Sequence, residues 1–180
     1  MPLKMIVSLI AVLILVSCDN NSKEIRFYHV EKTPVQAQAS QPAPTIHWNV
    51  PETWQETTAS SMHLAAFTAP YEGGEASISI MTLSGDGGGL LLNVNRWLNQ
   101  LDLKPVEESA LVDMAHKMKS ESGSFSLFHL ANDSKPEKAF LISVYTLPSK
   151  TLFIKLIAPA KATEALQPDF EAFCQSIHIH

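Results

Sequence analysis

Cysteine, arginine and long apolar runs are all scarce in this chain, and each scarcity excludes something. Two cysteines in 180 residues are too few for a disulfide-held scaffold. Arg26 and Arg96 are the only arginines among 13 cationic residues, set against 18 acidic ones for a formal net charge of −5. With cations so few and scattered there is no basic stripe to release counterions, which argues against nucleic acid as a partner. The longest apolar run, Met5 to Val16, is twelve residues and is broken by Ser8. A bilayer-spanning helix needs about 20, so a polytopic membrane protein is excluded. No Gly-X-Y period and no sustained heptad is present, which removes collagen and coiled coil.

What is there is 46% hydrophobic, 17% charged and 8% aromatic, the mixture of one globular domain with appendages. Lys4 and the free amine make a short positive head before the apolar run, the order of a secretory signal. That run closes on Leu15-Val16-Ser17-Cys18, which resembles the lipobox of bacterial lipoproteins. The resemblance implies that residues 1–17 are a signal peptide and that Cys18 becomes an acylated N-terminus, joining the protein to membrane lipid. A plain secretory signal containing a cysteine is the alternative. Several acyl chains on one residue would anchor stably where a single chain would not. Asp19 resembles the inner-membrane retention signal of enterobacterial lipoproteins, and so implies the periplasmic face of that membrane. Residues 18–45, with Pro34, Pro42 and Pro44 among small and polar residues, read as a flexible tether reaching roughly 30 Å.

The globular domain is expected over residues 46–180. Ile46 to Val50 reads as a first strand, stopped at Pro51, and Met62 to Thr68 as a second, before a turn through Pro70 and Gly73-Gly74. Glu75 to Leu83 alternates with period two, a half-buried strand. After Gly85-Asp86-Gly87-Gly88-Gly89, Leu90, Val94, Trp97 and Leu101 repeat on one helical face, with Pro105 as the stop. Residues 106–119 fit either a short helix or a strand. Phe125 to Leu130 is a strand, Ala139–Leu147 and Thr151–Ala158 a hairpin, and 160–175 a closing amphipathic helix. The tail His178-Ile179-His180 can pair as a last short strand. Strands, helix, strands, helix point to an α+β fold, an antiparallel sheet flanked by helices.

Two stretches, Trp48-x-Val50-Pro51-x-x-Trp54 and Gly87-Gly88-Gly89-Leu90-Leu91-Leu92-Asn93-Val94-Asn95-Arg96-Trp97, resemble an uncharacterised family of bacterial lipoproteins. The ending Thr151-Leu152-Phe153-Ile154-Lys155, then Phe170-x-x-Phe173 and Ser176, is similar to that of PsbP-like domains. The resemblance implies a PsbP-like α/β/α sandwich used for binding and assembly near membranes. Where that family tends to carry Arg after the tryptophan, this chain has Leu98.

The residues that carry chemistry are few. The Gly87-Gly88-Gly89 turn opens a helix, so its N–H groups can cradle an anion; equally, it can be a tight connection that needs positive φ. It lacks the Lys-Ser/Thr of a phosphate loop. Arg96 is the only arginine of the domain, and Asn93, Arg96 and Gln100 form a polar stripe beside the apolar face. Arg96 can hold a carboxylate of a ligand or partner bidentately, or clamp helix to sheet through an internal salt bridge. Asn95 and Trp97 complete the candidate binding segment. His178 and His180 share a strand face but lack a further ligand, so no metal site is expected, and no cofactor. Cys174 reads as a small core residue. No catalytic triad or metal-helix motif is present. The expectation is a membrane-anchored, non-enzymatic module of the cell envelope that binds or assembles with another envelope protein. The alternative is a periplasmic receptor for a small anionic ligand held by Arg96 and the helix N-terminus after Gly87–Gly89. An exposed apolar patch would favour the first, and a concave pocket reached by Arg96 the second.

Overall fold

The computed structural model of the protein describes residues 45–180. The expected signal segment, Cys18 and all of the expected tether but Thr45 lie outside the described residues. Within them are strands β1 (Ile46–His47), β2 (Gln55–Thr57), β3 (Ala65–Tyr71), β4 (Gly74–Ser84), β5 (His116–Ser120) and β6 (Gly123–Ala131). Strands β7 (Ala139–Thr146), β8 (Lys150–Ala158) and β9 (His178–Ile179) follow, with helices α1 (Leu90–Asn99), α2 (Glu108–Met114) and α3 (Ala160–Gln175). Seven strands form one antiparallel sheet in the order β2-β3-β4-β8-β7-β6-β5, and β1 pairs with β9 in a separate two-stranded ribbon.

Period-two patterning divides this sheet into two buried faces. On β8, Leu152, Ile154 and Leu156 point to one side together with Ile78 and Ile80 of β4, and all five are fully buried. Leu166, Phe170 and Phe173 of α3 cover them. Phe153 points to the other side, with Phe140 and Ile142 of β7, under Val94, Trp97 and Leu98 of α1 and Leu111 of α2. Because each face has its own apolar helix stripe, the fold is an α/β/α sandwich, an antiparallel sheet flanked by helices as expected. The two tryptophans of the Trp48…Trp54 pattern are packing residues: their rings lie 6.4 and 5.0 Å from that of Phe173.

Several boundaries differ from the sequence expectation. The first strand is two residues long, because its partner is the short tail strand, Ile46 opposite Ile179 and His47 opposite His178. The second begins at Ala65, and Pro70 stands inside it. There β3 has only β4 beside it, since β2 pairs no further than Thr68. Residues 106–119 form both candidates in turn, α2 and then β5. Helix α1 stops well before Pro105. Leu103 N–H bonds Leu98 O at 2.9 Å and Asp102 N–H bonds Asn99 O at 3.1 Å, the paired bonds of a Schellman ending. Asp102 takes the left-handed position usually held by glycine, φ 55°, and its carboxylate pairs with Lys135 at 2.7 Å.

Candidate functional site

The seven candidates, Gly87, Gly88, Gly89, Asn93, Asn95, Arg96 and Trp97, fall on the β4–α1 turn and on α1 itself, yet they do different jobs. The turn turns inward on itself. Gly87 N–H donates to Ser84 O, Gly89 N–H to Asp86 O, and Gly88 N–H to the Asp86 carboxylate at 2.9 Å. All three glycine donors are therefore spent, and Asp86 occupies the position an incoming anion would need. Gly87, at φ 67°, also has no room for a side chain: a Cβ would stand 2.7 Å from Phe153 Cζ. The connection needs positive φ and close packing; the anion cradle is not formed.

Asn93 also faces inward. It is buried, and its Nδ2 donates to Gly87 O and Gly89 O, both at 2.9 Å, locking the turn to the helix. Asn95 Nδ2 donates to Val106 O at 3.0 Å while Val106 N–H donates to Asn95 Oδ1 at 2.8 Å, which pins the segment between α1 and α2. Trp97 is buried edge-on against Phe153, ring centroids 6.0 Å apart. Leu98 is buried beside it, so no charge stands at that position. The expected polar stripe of Asn93, Arg96 and Gln100 is thus divided. Only Arg96 and Gln100 face outward, and among the described residues Arg96 has no carboxylate partner. The internal salt bridge expected for it does not form there.

Arg96 instead borders a groove of about 330 Å³ between α1 and the sheet. On this face Phe140, Ile142 and Phe153 of β7 and β8 are buried, while Met81 and Leu83 of β4 are only half-buried. The floor is apolar, made by Met81, Leu83, Trp97, Ile142 and Phe153, and Met62 and His63 border it as well. Lys155 stands in this floor, opposite Ser79 on β4 and Ile142 on β7. Its Nζ donates to Gln100 Oε1 at 2.9 Å and lies 3.6 Å above the Phe140 ring. Burial, helped by the nearby positive charge of Lys138, pulls its pKa down to about 8. No carboxylate is among the residues that line the groove. Sequence reasoning missed Lys155, although a lone cation inside the apolar run of β8 was the signal that could have found it.

A larger hollow of about 490 Å³ lies between the β3–β4 hairpin and the start of α3, bordered by Tyr71, Glu72 and Lys161. None of the candidates reaches it.

The remaining perturbed groups stand apart from one another. Burial pushes the Cys174 thiol up to about 12, and the Tyr145 hydroxyl, which donates to Cys174 O, is likewise raised by burial. Cys174 is on the buried face of α3 and Tyr145 on β7 beneath it, across the sheet from Lys155. His129, bonded to Thr163 Oγ1 at 2.8 Å, is lowered by burial. The exposed Lys135 lowers Asp102 by hydrogen bond and charge. The β1–β9 ribbon adds His47 to the His178 and His180 pair, with ring centroids 5.2–5.7 Å apart. The His47 and His178 rings are nearly parallel, 17° between planes, so their nitrogens do not converge on one point.

No protein-family model matches the sequence, and no curated protein matches it either. Solved structures do. LpqN of Mycobacterium tuberculosis, described as involved in cell envelope biogenesis, is 13% identical with a TM-score of 0.46, over 78% of this chain and 87% of that one. The solution structure of cyanobacterial PsbP (CyanoP) from Synechocystis sp. PCC 6803 is also 13% identical with a TM-score of 0.46, over 79% and 96%. A structure from Bacteroides thetaiotaomicron VPI-5482 is 10% identical with a TM-score of 0.43, over 75% of this chain; this chain spans 45% of that one.

Proposed function

We propose that this protein is a non-enzymatic binding module of the cell envelope, anchored through acylated Cys18, and that it receives its ligand in the groove beneath α1. The observation that carries this reading is the meeting of Arg96 and Lys155 in one concave, apolar-floored site with no carboxylate in its lining. Two cations without an acid, on apolar walls that strengthen any charge they meet, are poised for an outside anion. The lipobox-like Leu15-Val16-Ser17-Cys18 supports the anchoring half. Of the two expected roles, the ligand receptor is favoured over the protein-assembly module, since Arg96 reaches a hollow. The contact moves, however, from the glycine turn to the helix side and the sheet.

Photo-crosslinking in cells tests the site. A photoreactive residue at Met62, 70% exposed at the groove wall, should give one recurrent adduct mass that disappears in Arg96→Ala. The same probe at Val112, 74% exposed on α2, should not give it. No adduct at position 62 would overturn the groove as the binding site.

A further inference from the structure

We infer that the ligand is a free single-chain amphiphile, an unbranched apolar chain ending in one carboxylate or phosphate, with its head between Arg96 and Lys155. This rests on the groove being the binding site and adds the chemistry of what fills it. Gln100 follows Arg96 by one helical turn and itself holds Lys155 Nζ. Arg96 on the helix and Lys155 in the floor therefore line one groove on either side of Gln100, within reach of one anionic group. An arginine fork and an ammonium beside it suit a head with two or three acceptor oxygens.

The charge is poorly compensated as the protein stands. Among the described residues the one ion pair joins Lys135 to Asp102, leaving Arg96 and Lys155 without acids. Lys155 rests on an amide oxygen and on the face of Phe140, partners that stabilise a cation less than a carboxylate does. An anion returns to Lys155 what burial takes away.

The rest of the groove asks for something else. Met81, Leu83, Trp97 and Phe153 make a floor that a small inorganic anion would leave wet, and Met62 carries the apolar surface outward to the wall. A neutral apolar ligand would cover that floor but strip water from both cations without replacing it. An amphiphile satisfies both halves. The volume of about 330 Å³ lies at the small end of ligand sites, roughly 300–1,000 Å³. One chain fits that size; a two-chain membrane lipid does not.

The test uses the full chain reconstituted in phosphatidylcholine nanodiscs, titrated calorimetrically with empty nanodiscs as the blank. Dodecanoate should bind about tenfold or more tightly than dodecanol, which lacks the charge-assisted pair, and about tenfold or more tightly than acetate, which leaves the apolar floor uncovered. Arg96→Gln and Lys155→Met should each remove most of that preference, with thermal unfolding run alongside to show that both variants fold. Equal binding of dodecanol would overturn the anionic head, and equal binding of acetate the apolar chain. A requirement for anionic two-chain lipid in the disc would replace the free amphiphile with the membrane surface. Should the Met62 adduct form while dodecanoate fails to bind, the ligand class falls and the groove stands. Should the adduct fail as well, both fall.

Discussion

Asn93 and Arg96 are neighbours in sequence with opposite roles, and the difference is one of direction on the helix. Asn93 serves two buried carbonyl oxygens at once, those of Gly87 and Gly89. Replacing it with alanine leaves both without that donor, a cost of about 1–3 kcal/mol. Asn93→Ala should therefore lower the urea midpoint with little change in slope. Arg96→Ala breaks no bond to another described residue and should stay within about 0.5 kcal/mol of the wild type. Comparable losses from the two variants would mean that Arg96 has a structural partner. The residue types were legible in the sequence, because an Arg flanked by amides is unusual in a domain with so few cations. Which of the amides turned inward was not, since that depends on where the glycine turn places its carbonyls.

At the scale of the elements, β8 shows the same limit. Its alternation was readable, and so was the hairpin with β7. Lys155, the cation inside its apolar run, became a site only because the sheet face above it is left partly open. That position has a measurable consequence. Lys155 titrates near 8 in the folded protein, through burial first and the charge of Lys138 second, against an ordinary 10.5. Between these values the unfolded chain holds a proton that the folded protein has released, so stability rises with pH across about 8 to 10.5. Below about 8 both states are protonated and this contribution is flat. Chemical denaturation at pH 7.5, 9 and 10 should show the rise in the wild type and a smaller one in Lys155→Met. An identical pH profile in the two would remove Lys155 as its source. Helix α1 teaches a related lesson. Pro105 is a reasonable stop in sequence, but the helix ends earlier, where Leu103 and Asp102 N–H bond back to Leu98 O and Asn99 O with Asp102 in the left-handed conformation.

For the whole molecule, attachment and fold are separable. The anchoring reading rests on residues 15–19 and predicts that Cys18→Ser moves the protein from the membrane pellet to the soluble fraction. Retention in the pellet after carbonate washing would defeat it. Local chemistry suffices for that reading, since an apolar run, a small residue and a cysteine in order carry their meaning without a fold. The sequence by itself determined the α+β class, the β7–β8 hairpin and the closing helix. Alternation and helical period are short-range consequences of which faces must leave water. Only the tertiary structure decided the groove. Its two cations come from elements more than fifty residues apart, joined through Gln100 and Lys155. Its emptiness of carboxylates is a property of what packing left out, which no spacing along the chain records. The same holds for the β1–β9 ribbon, where His47 meets His178 only because the two ends of the domain pair. Periodicity tells each residue which way to face; the closing of the sheet decides which residues then face each other.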